Sequence, residues 1–193
     1  MKMMLIPALL LLSAAAQPTA PPARSAAPVG MADPSSRIAS QREAMAALSF
    51  LDGQWRGTGT AYGTGFTQTE RVGTLLNGTV RLVEGHASGA DGTTYFNAFG
   101  IISWDPDRRA YSMRSHAMGY AGDFPLTVRP DGFSWEQPMG PGASIRYTAT
   151  IANGEWHEVG DRVVPGAAPV RMFEMRVRRI GDSAWPAGGA VPR

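Results

Sequence analysis

The amino-acid sequence predicts an all-β protein, an antiparallel up-and-down barrel of about ten strands preceded by a short helix. Three observations predict this architecture. Residues 54–179 divide into short apolar or alternating segments that are separated by turn signals. Tight turn pairs such as Asn153-Gly154 make neighbouring strands antiparallel. Closing the sheet removes its two unpaired edges, so we expect a barrel, with a two-sheet sandwich as the alternative.

Ten segments show the alternation that is typical of strands. They are residues 54–62, 66–76, 79–87, 93–104, 110–117, 123–128, 133–137, 144–152, 155–164 and 170–179. Asn77-Gly78 and Asn153-Gly154 suit two-residue hairpins, which favour residues that accept positive φ. Residues 105–107 and 129–132 combine proline with Asp and suit longer turns.

The first strand has an unusual order of side-chain sizes on one face. Trp55, Gly57, Gly59 and Ala61 are two residues apart, so they project to the same side of a strand. Glycine weakens a strand unless a close approach or sharp coiling requires it. The pattern therefore indicates a strand that bends where a sheet closes on itself.

The N-terminal segment 1–16 has the composition of a cleaved secretory signal. Lys2 precedes an apolar run over 3–12, and Ala14 and Ala16 supply the small residues that a signal peptidase accepts. The run is shorter than the roughly 20 residues that span a bilayer. We expect cleavage after Ala16, export to the periplasm or outside the cell, and no stable membrane span in the mature chain.

The rest of the chain is expected to contain one domain. Residues 17–34 are rich in Pro and Ala and predict a disordered linker. Residues 35–48 predict a short helix that closes one end of the barrel. The barrel domain is predicted over 35–180, and a flexible tail, rich in Gly and Pro, over 181–193.

Charge and composition exclude several functions. The chain has 18 Lys plus Arg and 16 Asp plus Glu, a formal net charge of +2, and its arginines are scattered apart from residues 176–179. Nucleic-acid binders concentrate their basic groups, so no nucleic-acid partner is predicted. Lys2 is the only lysine and lies in the signal, which excludes Schiff-base chemistry in the mature protein. The absence of Cys excludes disulfides and thiolate catalysis.

The pattern Phe50-Leu51-x-Gly53-x-Trp55-x-Gly57-x-Gly59 resembles the start of the lipocalin-like barrels, the calycins. Within them the chain looks similar to an uncharacterised bacterial family related to the nitrobindin-like haem-binding barrels, with Trp104-Asp105-Pro106 and Tyr111 fitting a central hairpin. The resemblance spans residues 48–179 and implies a barrel around a small ligand. In nitrobindin-like proteins a histidine near the C-terminal strands holds the haem iron, and residues 170–177 contain none. No cofactor is predicted, and haem is disfavoured.

Metal chemistry would have to begin with the three histidines, His86, His116 and His157. Glu84 and His86 are two residues apart on one predicted strand and share a face, a geometry compatible with a metal pair or an acid–base pair. A metal site needs a third ligand, so no metal is predicted. No Gly-x-Ser-x-Gly elbow occurs, and a binding protein is favoured over an enzyme.

Ligand contacts are predicted from polar residues on mixed strands and from the apolar residues of the barrel. If Trp156 points inward, Glu158 does too, and a buried carboxylate needs a cation, for which Arg114 and Arg146 are the expected partners. Such a cluster could hold the carboxylate or hydroxyl end of an apolar ligand, or could equally be a structural ion-pair network. The predicted ligand-binding residues are Trp55, Glu70, Glu84, Tyr95, Met113, Arg114, Arg146, Trp156, Glu158 and Glu174.

The sequence therefore predicts an exported barrel that binds a small, largely apolar ligand without transforming it. Two alternatives stay open: a haem- or metal-dependent enzyme of the nitrobindin type, and a structural or interaction protein of the cell envelope. The three hypotheses differ in what the barrel contains, which is an organic ligand, a chromophore or metal, or its own side chains alone.

Overall fold

A computed structural model of the chain describes residues 34–183. The predicted signal 1–16 and almost all of the predicted linker and tail lie outside the described residues. Across the part that is described, no helix is long and apolar enough to cross a membrane.

The described chain contains the one helix and the ten strands that the sequence predicts, together with two short 3-10 segments. Helix α1 spans Pro34–Ala46, and the 3-10 segments span Ser49–Leu51 and Leu76–Gly78. The strands are β1 Gly53–Ala61, β2 Thr64–Leu75, β3 Val80–Ser88, β4 Thr94–Asp105, β5 Ala110–Ala117, β6 Tyr120–Arg129, β7 Gly132–Pro138, β8 Ser144–Ala152, β9 Glu155–Val163 and β10 Val170–Gly181.

Every strand pairs antiparallel with its neighbours in the chain, and β1 also pairs with β10. The sheet is therefore a closed ten-stranded barrel, which confirms the predicted architecture and excludes the sandwich. Closure leaves no sheet edge unpaired.

The two glycines of β1 each solve a different packing problem. At the seam with β10, a Cβ at Gly57 would lie 2.0 Å from the carbonyl oxygen of Arg176 and 2.7 Å from Cα of Val177, so the two backbones approach each other there. A Cβ at Gly59 would lie 2.5 Å from Cζ of Phe66, so this glycine makes room for a ring. The close approach expected from the sequence is present at Gly57.

The turns match the sequence in part. Asn153 and Gly154 have φ values of 53° and 72°, as a primed two-residue hairpin requires. The prediction for Asn77-Gly78 is wrong, because both lie in the 3-10 segment Leu76–Gly78, where Leu76 also has a positive φ of 51°. Tyr62-Gly63 and Met118-Gly119 form tight hairpins that the sequence did not indicate, since Tyr and Met rarely adopt positive φ.

Helix α1 lies against one end of the barrel, which we name the closed end. Met45 and Leu48 are buried there, and the hydroxyl of Tyr111 donates to the carbonyl oxygen of Ala44 at 2.9 Å. Arg81, 1% exposed, donates to both carboxylate oxygens of Asp52 at 2.8 Å and to the carbonyl oxygen of Met45. The opposite end, which we name the open end, carries the hairpins that join β1 to β2, β3 to β4, β5 to β6, β7 to β8 and β9 to β10.

Because the β1 and β10 backbones are so close, we expect one added methyl group at this seam to destabilise the protein strongly. Gly57→Ala should lower the free energy of unfolding by about 3 kcal/mol, because the new Cβ meets backbone that cannot move without opening the β1–β10 ladder. Gly65→Ala on β2 is the matched control, since its Cβ would meet nothing closer than 4.0 Å. Urea denaturation of both variants checks this, and equal stabilities would contradict a tight seam.

Candidate functional site

Strand alternation and register assign each side chain to the inside or the outside of the barrel. On β2, Gln68 and Glu70 are buried while Thr69 between them is exposed, and Glu70 lies opposite Trp55 of β1. On β9, Trp156 and Glu158 are buried and share the inward face. Two carboxyl groups therefore lie inside a closed barrel.

A continuous set of rings lines the half of the interior near the open end. Its ring centroids are 6.0 Å apart for Phe66 and Phe173, 5.8 Å for Phe173 and Tyr147, 4.3 Å for Tyr147 and Trp135, and 5.0 Å for Trp135 and Phe124. We name these five residues the aromatic belt. The belt runs from β2 through β10, β8 and β7 to β6. Deeper in the barrel, Trp156 packs edge-on against Trp55 and Phe133, each at 5.9 Å.

The opposite side of the interior is made mostly of small residues, with Phe96 of β4 and Met113 of β5 also on inward positions. The inward positions of β3, β4 and β5 that we name the small-residue wall are Gly85, Ala87, Ala98, Gly100, Ser115 and Ala117. Ala98, Ser115 and Ala117 face inward yet are only half-buried. Ala98 and Ala117 also border depressions on the outer surface, so part of their exposure is to the outside. The interior is asymmetric, with rings on one side and mostly small side chains on the other.

Glu70 lies beside the small-residue wall, against Gly85. Its side chain is held by one hydrogen bond, in which Nε2 of Gln68 donates to Oε1 at 2.6 Å. Oε2 accepts no hydrogen bond from any residue in the described range 34–183. Both oxygens lie against β3, where a Cβ at Gly85 would be 2.9 Å from each of them. The glycine thus creates the place that the carboxyl group occupies.

Glu158 lies one inward position deeper than the aromatic belt. Nε1 of Trp156 donates to its Oε2 at 3.1 Å, and the indole of Trp135 is a second hydrogen-bond partner. Next along β9, Gly160 has no side chain, and a Cβ there would be 2.9 Å from Cε1 of Tyr147. The carboxyl group therefore lies between two layers of rings.

Neither carboxyl group forms an ion pair within residues 34–183. Burial raises the pKa of Glu70 to about 8, and the nearby charge of Glu158 contributes to that shift. Burial also raises the pKa of Glu158 to about 7, against the two indole hydrogen bonds that lower it. Desolvation dominates because a charge in a medium of low dielectric loses its hydration. Strongly shifted carboxyl groups in a cavity are typical of functional sites.

The structure separates the predicted ligand-binding residues into two groups. Trp55, Glu70, Met113, Trp156 and Glu158 face the interior. The others lie outside: Glu84 pairs with Arg71, Arg114 with Asp123, Arg146 with Glu136 and Glu174 with His157, while Tyr95 is 45% exposed.

The expected pairing of Glu158 with Arg114 or Arg146 is therefore wrong. Arg114 donates to Asp123 at 2.7 Å and Arg146 to Glu136 at 2.6 Å, both on the outer surface. The physical reason is the register of β5 and β8. Met113 and Tyr147 take the inward positions, so the arginines next to them in the chain point outward.

All three histidines lie on outward positions. Nε2 of His86 contacts Oγ1 of Thr94 at 3.1 Å, and His157 contacts Glu174 at 2.9 Å. His86, Glu84 and His116 border a shallow outer depression of about 660 Å³. No three potential metal ligands come together in the described part of the chain. Since His86, His116 and His157 are the only histidines, the residues present do not fit a histidine-ligated haem inside the barrel.

Sequence reasoning missed most of the aromatic belt. Phe66, Phe124, Trp135 and Tyr147 were not singled out, although each is spaced by two from another inward residue of its strand. The period-two spacing of strands would have placed Trp135 on the same face as Phe133, two residues before it. The pairing of Glu70 with Gly85 depends on register and carries no local signal.

Comparisons with known proteins support the fold. No protein-family model matches the chain, and no curated protein does. Among solved structures the chain is similar to the crystal structure of Rv2717c from M. tuberculosis, with 14% sequence identity and a TM-score of 0.53. The match covers 71% of this chain and 97% of that chain. At this identity the likeness shows the barrel fold alone.

The buried carboxyl groups predict a stability that falls as pH rises. The folded pKa of Glu70, about 8, lies above the ordinary value of 4.5, so the folded state binds more protons between these values and loses stability as pH increases through them. Glu70→Gln removes the titration. The free energy of unfolding of the variant minus that of the wild type should therefore be more positive at pH 9 than at pH 5, by on the order of 3 kcal/mol.

Urea denaturation at both pH values measures this difference. Glu84→Gln, on the outer surface beside Arg71, is the matched control and should change by less than about 1 kcal/mol. A Glu70→Gln variant that tracks the wild type at both pH values would show that Glu70 ionises as freely in the folded barrel as in the unfolded chain.

Proposed function

We propose that this protein binds a small, largely apolar ligand inside its barrel, between the aromatic belt and the small-residue wall, and does not transform it. The observation that carries the proposal is Glu70. Its carboxyl group is 8% exposed, has an oxygen without a hydrogen-bond donor among residues 34–183, and borders the small-residue wall. A carboxyl group that is largely removed from water and has one donor loses hydration, so a ligand that supplies a further donor gains free energy.

The shape of the interior supports a binding site. Ligand pockets are concave and mostly apolar, with a few polar groups that fix the orientation of the ligand. The aromatic belt and the small-residue wall supply the apolar surface, and Glu70 and Glu158 supply the polar groups.

Binding without catalysis is favoured by the chemistry of the interior. Ser115 is the hydroxyl on the small-residue wall, and all histidines are on the outside, so the serine has no imidazole base. Glu70 and Glu158 could act as acids or bases, but no nucleophile lies between them in the described residues. We include export in the proposal because residues 1–16 read as a secretory signal.

The test places a bulky side chain in the proposed space. Ala98→Phe adds a ring to the small-residue wall, and Asn97→Phe, the matched control, adds the same ring on the outer face of β4. The probe is N-phenyl-1-naphthylamine, an apolar, non-basic fluorophore. Ala98→Phe should weaken its binding about tenfold or more, since an overfilled site cannot admit it, and Asn97→Phe should leave it within about twofold.

Far-ultraviolet circular dichroism checks that both variants fold. If Asn97→Phe weakened the probe and Ala98→Phe did not, binding would belong to the outer depression. A wild-type protein that does not bind the probe would refute the proposal.

Native mass spectrometry with an absorption spectrum identifies what the barrel holds in its host. The full chain is exported and purified without added ligand. A co-purifying organic mass without a chromophore supports the proposal. A Soret band or a metal mass favours the haem- or metal-dependent alternative, with His86, His116 and His157 as the residues to replace.

A further inference from the structure

The charged groups around the interior are unbalanced. Glu70 and Glu158 lie in the middle of the barrel, and three arginines occupy inward positions of their strands, Arg81, Arg162 and Arg179. Arg81 is at the closed end, where Asp52 pairs with it at 2.8 Å. Arg162 is exposed at the open end of β9. Arg179 of β10 is exposed, donates to the carbonyl oxygen of Asp52 and pairs with Asp182 at 2.6 Å. Within residues 34–183 the middle of the barrel therefore has two acids and no base.

The other titratable groups near the two acids do not supply a positive charge. Tyr147 of the aromatic belt faces Glu158, and burial followed by that carboxyl group raises the tyrosine pKa to about 12, so the phenol stays neutral. Glu84, on the outer face of β3, adds to the negative potential at Glu70. The donors that reach the acids are the neutral amide of Gln68 and the indoles of Trp156 and Trp135.

We propose that the ligand is an apolar cation, a protonated amine whose ammonium group lies between Glu70 and Glu158 while its hydrocarbon part lies between the aromatic belt and the small-residue wall. This rests on the proposed function. An ammonium group has three N–H donors, and among residues 34–183 no donor reaches Oε2 of Glu70. One ammonium group can donate to both carboxyl groups and balance their charge, whereas an alcohol offers a single donor without charge and a carboxylate offers none.

The rings around the site favour the same charge. The face of an indole or phenol ring is electrostatically negative and attracts a cation within about 6 Å of its centroid. Trp135 and Tyr147 are stacked with centroids 4.3 Å apart, directly above the layer that contains Glu158. An anionic head group would instead meet two acids and these ring faces. The carboxylate-bearing ligand that the sequence suggested is thus the less suitable partner.

Binding of such a cation should be coupled to proton release. The pKa values of about 8 for Glu70 and about 7 for Glu158 mean that both groups hold protons below neutral pH. An ammonium group stabilises their charged forms, so protons leave when it binds. Affinity should rise from pH 6 to pH 8.5, where an alkylamine with a pKa near about 10 is still protonated. A neutral ligand that accepts a hydrogen bond from a carboxylic acid would show the opposite slope.

The experiment compares three ligands of equal chain length, each below its aggregation concentration. Decylamine, decan-1-ol and decanoate displace N-phenyl-1-naphthylamine from the full-length exported protein at pH 6 and pH 8.5. We expect decylamine at pH 8.5 to act at a concentration about tenfold lower than either of the others. Calorimetry in buffers of different ionisation enthalpy should show proton release with decylamine.

The Glu70→Gln/Glu158→Gln double variant should lose this preference and bring all three ligands within about twofold. Glu84→Gln/Glu174→Gln, which removes two carboxylates from the outer face, should keep it. An amine advantage that survives the inner double variant overturns the inference, as does tighter binding of the alcohol or the carboxylate. A wild type that binds the fluorophore but not decylamine also overturns it and leaves the proposed function standing. A wild type that does not bind the fluorophore would contradict both the proposed function and this inference.

Discussion

The pairing of β1 with β10 is the contact on which the rest of the structure depends. Its backbones approach at Gly57, where a methyl group would overlap the carbonyl oxygen of Arg176. Once this seam is closed, every strand has two neighbours, and alternation places each side chain either inside or outside. A cluster on an open sheet could turn to solvent, but a residue on an inward position of a closed barrel cannot. Closure therefore creates the environment that shifts the interior carboxyl groups.

The distribution of charge follows from that division. On the outer surface, acids and arginines face each other across strand pairs, as Arg114 and Asp123 do on β5 and β6. Inside, Glu70 and Glu158 are held by neutral donors only. Buried ionisable groups that lack a partner lower stability, and proteins keep such groups where a ligand or a reaction uses them. Charges are paired on the outer surface and unpaired in the interior. This contrast favours the interior over the outer depression as the functional site.

The sequence predicted the fold well because its signals are local. The ten alternating segments and their turn residues can be identified without knowing which strands pair. The spacing of Trp55 and the glycines of the first strand predicted that the sheet closes. The site was harder to predict. On β5 and β8 both faces carry polar or mixed residues, so the pattern alone did not decide whether Met113 or Arg114 points inward. Register with the neighbouring strands decides it, and register is a property of distant segments.

Under the proposed function, the asymmetry of the interior is what would let a rigid barrel select its ligand. The belt is fixed by ring contacts such as Trp135 with Tyr147, and the wall is built from residues with few or no rotamers, so neither side adapts much to a guest. Apolar surface of this kind accepts any hydrocarbon of suitable width, because the hydrophobic effect is not directional. Discrimination must then come from groups with direction and charge. In the middle of the barrel these are Glu70 and Glu158, and a ligand that leaves them without a partner forfeits free energy that no extra methylene restores.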